Sequence, residues 1–104
     1  MEVKFKEASM KDICGTSFHR GYVKNTAYEI EKVLGHCSEV FDDGKTQFEW
    51  DRRAGSITFT VYDYKDFPAP YQVNDYHIGT KSKEDTIMVV ALLKEAGLNA
   101  YFED

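Results

Sequence analysis

The densest group of reactive side chains in the chain is Tyr62-Asp63-Tyr64-Lys65, a carboxylate and an ammonium set among two phenols. If the alternation of the residues before it continues, Asp63 shares a face with Phe59 and Val61. A carboxylate at the end of such an apolar row acts as an acid or base unless something pairs it. The simpler expectation is that the strand has left the core by Asp63, with Tyr62 and Tyr64 amphipathic at the rim. His77 follows Tyr76 on another alternating stretch, just before Gly79, and an imidazole there can serve as general base, ligand or switch. In Gly79-Thr80-Lys81-Ser82 the amides of a helix start, with Lys81 and two hydroxyls, could hold a phosphate or carboxylate; plain helix capping explains the same residues.

Other chemistries lack their spacing. The histidines His19, His36 and His77 form neither HxH nor HExxH, and Cys14 and Cys37 stand alone, so the chain calls for no metal and no cofactor. Cys37 beside His36 is a poor nucleophile–base pair, because neighbours on one chain seldom present both side chains to one substrate. Phosphate-cradling glycine loops are absent. Aromatic residues are 14% of the chain, and Tyr62, Tyr64, Tyr71 and Tyr76 crowd around Pro68 and Pro70. Tyrosine with proline on an exposed rim suits recognition, since the ring supplies contact area at low entropic cost and keeps a hydroxyl. The candidate binding residues are therefore Tyr62, Asp63, Tyr64, Lys65, Pro68, Pro70, Tyr76, His77 and Lys81, and none is marked as catalytic.

The elements that must carry these groups follow from periodicity. In Lys45–Lys65, Thr46, Phe48 and Trp50 alternate with Gln47, Glu49 and Asp51, and Ile57, Phe59 and Val61 alternate with Thr58, Thr60 and Tyr62. This predicts a β-hairpin around a polar loop, Arg52–Ser56, in which Gly55 supplies a positive φ. Asp66-Phe67-Pro68-Ala69-Pro70 breaks the second strand. Tyr71–Ile78 then reads as a strand at a sheet edge, or one whose polar face lines a site, because both its faces mix apolar and polar residues. Val3 and Phe5 predict a short edge strand, and Met10–Tyr22, with two glycines and no apolar stripe, reads as loop.

Thr26-Ala27-Tyr28-Glu29 fits a capping box, and Ala27, Ile30, Val33 and Leu34 then share one face, predicting a helix over Thr26–Leu34 closed by Gly35. Val40 and Phe41 are expected to anchor the following loop, with Asp42-Asp43-Gly44 as its turn. Ser82 caps a second helix to Ala96, whose seven consecutive apolar residues Ile87–Leu93 imply burial on most sides, and Leu98–Phe102 reads as a last strand. The expected fold is a single α+β domain over residues 1–104, two helices on an antiparallel sheet built on the hairpin, in the order β-α-β-β-β-α-β. The expected core is Ile30, Val33, Leu34, Phe48, Trp50, Ile57, Phe59, Val61, Ile87, Val90 and Leu93.

A net charge of −5 with scattered Lys and Arg argues against direct nucleic-acid binding. No apolar run approaches the roughly 20 residues that span a bilayer, and the first residues are too charged for a signal peptide, so a cytoplasmic location and reduced thiols are expected. With no catalytic constellation, the composition favours a non-catalytic binding protein with a protein partner. Self-association as a homodimer through Tyr71–Ile78 or the tyrosines beside it is also expected. The alternative is a small enzyme or a nucleotide- or anion-binding domain using Asp63, His77 and the helix start at 79–82.

The series Leu34-Gly35, Phe48-Glu49-Trp50, Val61-Tyr62-Asp63-Tyr64-Lys65 and His77-Ile78-Gly79 resembles, over Gly21–Ser82, small uncharacterised proteins encoded by bacteriophages; Tyr76 stands where those tend to have Trp. The resemblance implies a virus-encoded accessory factor in the host cytoplasm that binds and blocks a host or defence component.

Overall fold

The computed structural model describes residues 5–9, 11–38 and 46–103. Val3, Val40, Phe41 and the Asp42-Asp43-Gly44 turn lie outside them. The elements are β1 (Lys6–Glu7), β2 (Phe18–Asn25), α1 (Ala27–Leu34), β3 (Glu49–Ala54), β4 (Ile57–Tyr62), β5 (Asn74–Thr80), α2 (Lys83–Glu95) and β6 (Ala100–Phe102). The strands form one six-stranded antiparallel sheet in the order β1-β3-β4-β5-β2-β6. This is the α+β fold expected, with one strand added between β1 and α1.

The hairpin is tighter than its polar centre suggests. Ala54 pairs with Ile57, so only Gly55 and Ser56 turn the chain, with Gly55 at φ 62°. A positive φ at the first of two turn residues is what a type II′ hairpin requires. Arg52 and Arg53 belong to β3 rather than to a loop. Arg52 lies opposite Phe59 and is only 2% exposed, because its guanidinium has partners inside. Nε donates to the Leu34 carbonyl at 2.7 Å, Nη1 donates to Ser38 Oγ and the Asp51 carbonyl, and Nη2 donates to the His36 carbonyl. Trp50 Nε1 donates to the Gly35 carbonyl at 2.8 Å. Together they satisfy carbonyls that the end of α1 leaves orphaned, with a cation at the pole the helix dipole prefers.

Helix α1 begins with the expected capping box: Thr26 Oγ1 accepts from Glu29 N, and Glu29 Oε1 accepts from Thr26 N at 2.9 Å. Ala27, Ile30 and Leu34 are buried, and Gly35 (φ 85°, ψ −168°) leaves the helix through backbone space that favours glycine. Helix α2 is capped by Ser82, whose Oγ accepts from Asp85 N. It turns Thr86, Val89, Val90 and Leu93 to the sheet; Ile87, expected in the core, is 50% exposed, as is Met88. A run apolar all round hides which side is inward, and here the sheet takes the side one step away from Ile87.

The largest departure is β2, where Met10–Tyr22 was expected as loop. Its inward positions read Gly21, Val23 and Asn25, which is no apolar stripe. A Cβ on Gly21 would meet Thr86 Cγ2 at 2.9 Å, so α2 rests on bare backbone there and the strand needs no side chain at that point. Strand β2 lies between β5 and β6, which makes β5 internal rather than an edge. Tyr76, Ile78 and Thr80 face the core, and Tyr71–Val73 precede the strand in a turn. β5 is therefore not the free edge that the expected strand-to-strand dimer would use: β2 pairs along most of it and β4 pairs with His77–Gly79. The core assembles Val23, Ile30, Leu34, Trp50, Phe59, Val61, Tyr76, Ile78, Val89 and Leu93, with Val33, Phe48 and Ile57 packed against it.

Candidate functional site

The sheet face away from the helices carries a line of rings running across four strands. Register places Tyr62 of β4 opposite His77 of β5, His77 opposite Tyr22 of β2, and Tyr22 opposite Tyr101 of β6. Their centroids are 5.4, 5.3 and 5.3 Å apart in turn. The Tyr62–His77 and Tyr22–Tyr101 rings are stacked, at 23° and 21° between planes, and the Tyr22–His77 rings are tilted at 52°. At one end, irregular pairing between Phe18 and Gly21 re-aims His19 onto this face, as bulges do. There the Tyr62 hydroxyl lies 2.7 Å from His19 Nδ1. A Cβ on Gly79 would approach Thr60 Oγ1 at 2.6 Å, the Thr16 carbonyl at 2.8 Å and His19 Cε1 at 3.5 Å, so the bare backbone of Gly79 lets the 16–19 segment settle. At the other end the Tyr101 hydroxyl donates to Asp75 Oδ1 at 3.0 Å.

Burial, followed by the charge of Glu49, pushes the Tyr62 phenol up to about 12, so it keeps its proton. Partial burial, followed by the charge of His77, lowers the His19 imidazole below its ordinary value. Both effects keep the two partners of this bond uncharged, a protonated phenol against a neutral imidazole. Burial and the Asp75 bond push Tyr101 up to about 12. Beside the row, Glu49 lies opposite Tyr62, and Asp51, only 5% exposed, lies opposite Thr60. Glu49 hydrogen-bonds the Asp51 carboxyl, which requires a proton on one of the two; burial is the main cause that raises Asp51. Asp51 Oδ1 has no partner among the described residues. The arrangement offers a hydrogen-bonded phenol and imidazole beside a carboxyl pair, with the phenol keeping its proton. Among the described residues no three His, Cys, Asp or Glu side chains gather to hold a metal.

The residues singled out from sequence divide among four places. Tyr62 and His77 meet in the row. Asp63 is on the opposite side of the sheet and fully buried: Oδ1 accepts from Gln47 N at 3.0 Å and Phe48 N at 2.7 Å, clamping the entry to β3. The strand has not left the core at Asp63, against the simpler expectation. Tyr76 is also fully buried, edge-on to Trp50, and is no surface residue; its hydroxyl and Asp63 Oδ2 lack partners among the described residues. Asp63 and His77 therefore share no pocket. Lys81 sits beyond β5 beside the start of α2, where Thr80 and Ser82 spend their hydroxyls on Thr86 Oγ1, the Ser82 carbonyl and the Asp85 amide. That is capping, and it commits the Thr80 hydroxyl to the helix start.

Tyr64, Lys65, Pro68 and Pro70 belong to the loop between β4 and β5, which is pinned at several points. Pro68 is buried, the Pro70 carbonyl accepts from Tyr28 N at 3.2 Å, Gln72 N donates to the Ala69 carbonyl, and Asn74 Nδ2 donates to Asp66 Oδ2. On this base Tyr64 (43%), Phe67 (52%), Tyr71 (75%) and Val73 (55%) are exposed, next to Tyr28 (55%). Lys65 and Phe67 hold φ of 63° and 47°, and Lys65 Nζ lies 5.3 Å from the centre of the Tyr64 ring. A bulky side chain at positive φ costs about 1–3 kcal/mol, which the surrounding bonds must offset.

His19, Tyr22 and Tyr101 escaped the sequence reading. Alternation around Val23 and Ala100 was the signal for the two tyrosines; His19 depends on irregular pairing that no pattern announces. Comparison with known protein families, curated proteins and solved structures finds no match to this chain.

Proposed function

We propose that the chain is a non-catalytic binding protein whose recognition surface is the β4–β5 loop with Tyr28, and whose partner is another protein. The observation that carries this reading is Phe67, a large apolar ring half exposed to water in a backbone conformation that costs energy to hold. Folding alone gives no return for either feature. A rigid, pre-paid display of aromatic anchors is what a protein interface rewards, because little ordering entropy is lost on binding. A virus-encoded accessory factor that blocks a host or defence component in the cytoplasm is the form this takes under the phage resemblance.

The test is capture of a host protein by the immobilised chain, repeated with Phe67→Gly and Tyr71→Ala. Glycine accepts the backbone at position 67, so Phe67→Gly should retain or gain thermal stability while capture is lost. Capture unchanged in both variants would sink the proposal. The competing small-ligand reading moves to His19, Tyr62 and His77, since Asp63 and His77 face opposite sides. A thermal shift caused by one small molecule and abolished by His77→Ala, with no protein captured, would put that reading first.

A further inference from the structure

We infer that the solvent-facing stripe of α2 pairs antiparallel with the same stripe of a second copy of this chain. Glu84, Ile87, Met88, Ala91 and Lys94 recur at helical spacing and are all exposed, on the side opposite Val89 and Leu93, which face the sheet. Ile87 and Met88 are each 50% exposed, two large apolar side chains where a solvated helix face carries charge. The charges sit at the two ends instead, Glu84 in the first turn beside Lys83 and Lys94 in the last turn beside Glu95.

That pattern is symmetric about Val89: Glu84 and Lys94 stand equally far on either side, and so do Ile87 and Ala91. Two such helices laid antiparallel on a two-fold axis at that level bring Glu84 of each copy to Lys94 of the other. Ile87 of each then packs over the small Ala91 of the other, and the Met88 side chains meet near the axis. A parallel pair would set acid against acid and base against base. Antiparallel packing also opposes the two helix dipoles. Among the described residues the side chains of Glu84 and Lys94 make no hydrogen bond or ion pair within the chain. Lys83 is left out of the pairing because its Nζ lies 5.7 Å from the centre of the Phe102 ring of its own chain. Helix α2 has 13 residues, which at about 1.5 Å each makes a contact of modest size. The dimer should therefore form and dissociate in the micromolar range.

Sedimentation or light scattering of the full chain, over about 1 to 100 μM, reads the outcome. The expected result is a mass rising from the 12.0 kDa of one chain toward twice that value. Glu84→Lys alone and Lys94→Glu alone should each weaken association about tenfold, and the two together should restore it. Met88→Glu should give a monomer throughout, with an unchanged circular dichroism spectrum. A mass that stays at one chain across the range overturns the inference. So does association that survives Met88→Glu, or a double charge reversal no better than the single ones.

Discussion

The Tyr62 hydroxyl and His19 Nδ1 share a hydrogen bond of 2.7 Å, joining β4 to the irregular start of β2 although β5 runs between them. The bond holds His19 in one tautomer. Tyr62→Phe should remove that preference, seen as a change in the imidazole nitrogen shifts by NMR, and cost about 1 kcal/mol of stability. Because the His19 pKa is lowered on folding, the unfolded chain binds more protons between the two values, so this residue favours the fold above the ordinary histidine range. Its contribution should fade as pH drops through about 6.5, and His19→Gln should flatten the acid side of the stability profile in that window.

Asp51 has the opposite sign. Burial raises its pKa, so the folded protein prefers the protonated form, and the cost of ionising it grows as pH climbs above the ordinary carboxylate value near 4. Asp51→Asn should therefore raise the melting temperature at pH 7 and change it little at pH 3. Loss of stability at pH 7 would mean that the carboxylate is needed as an anion.

Arg52 should be more demanding than any surface arginine. Arg52→Leu preserves apolar bulk but leaves the carbonyls of Leu34 and His36 without their donor, at about 1–3 kcal/mol each. Trp50→Ala empties the core beside Phe48 and Tyr76 and should cost about 3–5 kcal/mol. Urea unfolding of both variants checks the ranking; either loss is a large share of the stability of a small domain.

Gly21 and Gly79 face opposite sides of the sheet. Gly21→Ala pushes a methyl against Thr86 and Ile78 beneath α2, and Gly79→Ala pushes one against Thr60 and the Thr16 backbone. Each should destabilise by about 1–3 kcal/mol. Only Gly79→Ala should also disturb the His19 imidazole resonances.

The hairpin, both helices and their caps were legible because each rests on local chemistry: alternation through Phe59 and Val61, the Thr26–Glu29 box, the Ser82 cap. Strand β2 was not, since its inward face is completed by Thr86 and Ile78 from elsewhere in the chain. The same cause hid the candidate site. Tyr62 and His77 stood out as residue types, but their union with Tyr22, Tyr101 and His19 depends on strand order, which no local pattern encodes. Asp63 and His77 were grouped by chemical type and separated by the pleat, which turns partners of neighbouring parity to opposite faces.

Among the described residues the sheet ends in two very short strands, β1 with two residues and β6 with three. Its four longer strands each have a neighbour on both sides. So little open backbone is a poor template for growth of the sheet from one molecule into the next. The chain should thus resist ribbon-like aggregation when concentrated, by thioflavin fluorescence after prolonged shaking, even while it exposes Phe67, Tyr71, Ile87 and Met88. The two contacts proposed above use side chains on a loop and a helix, where single substitutions should switch each contact off without unravelling the sheet.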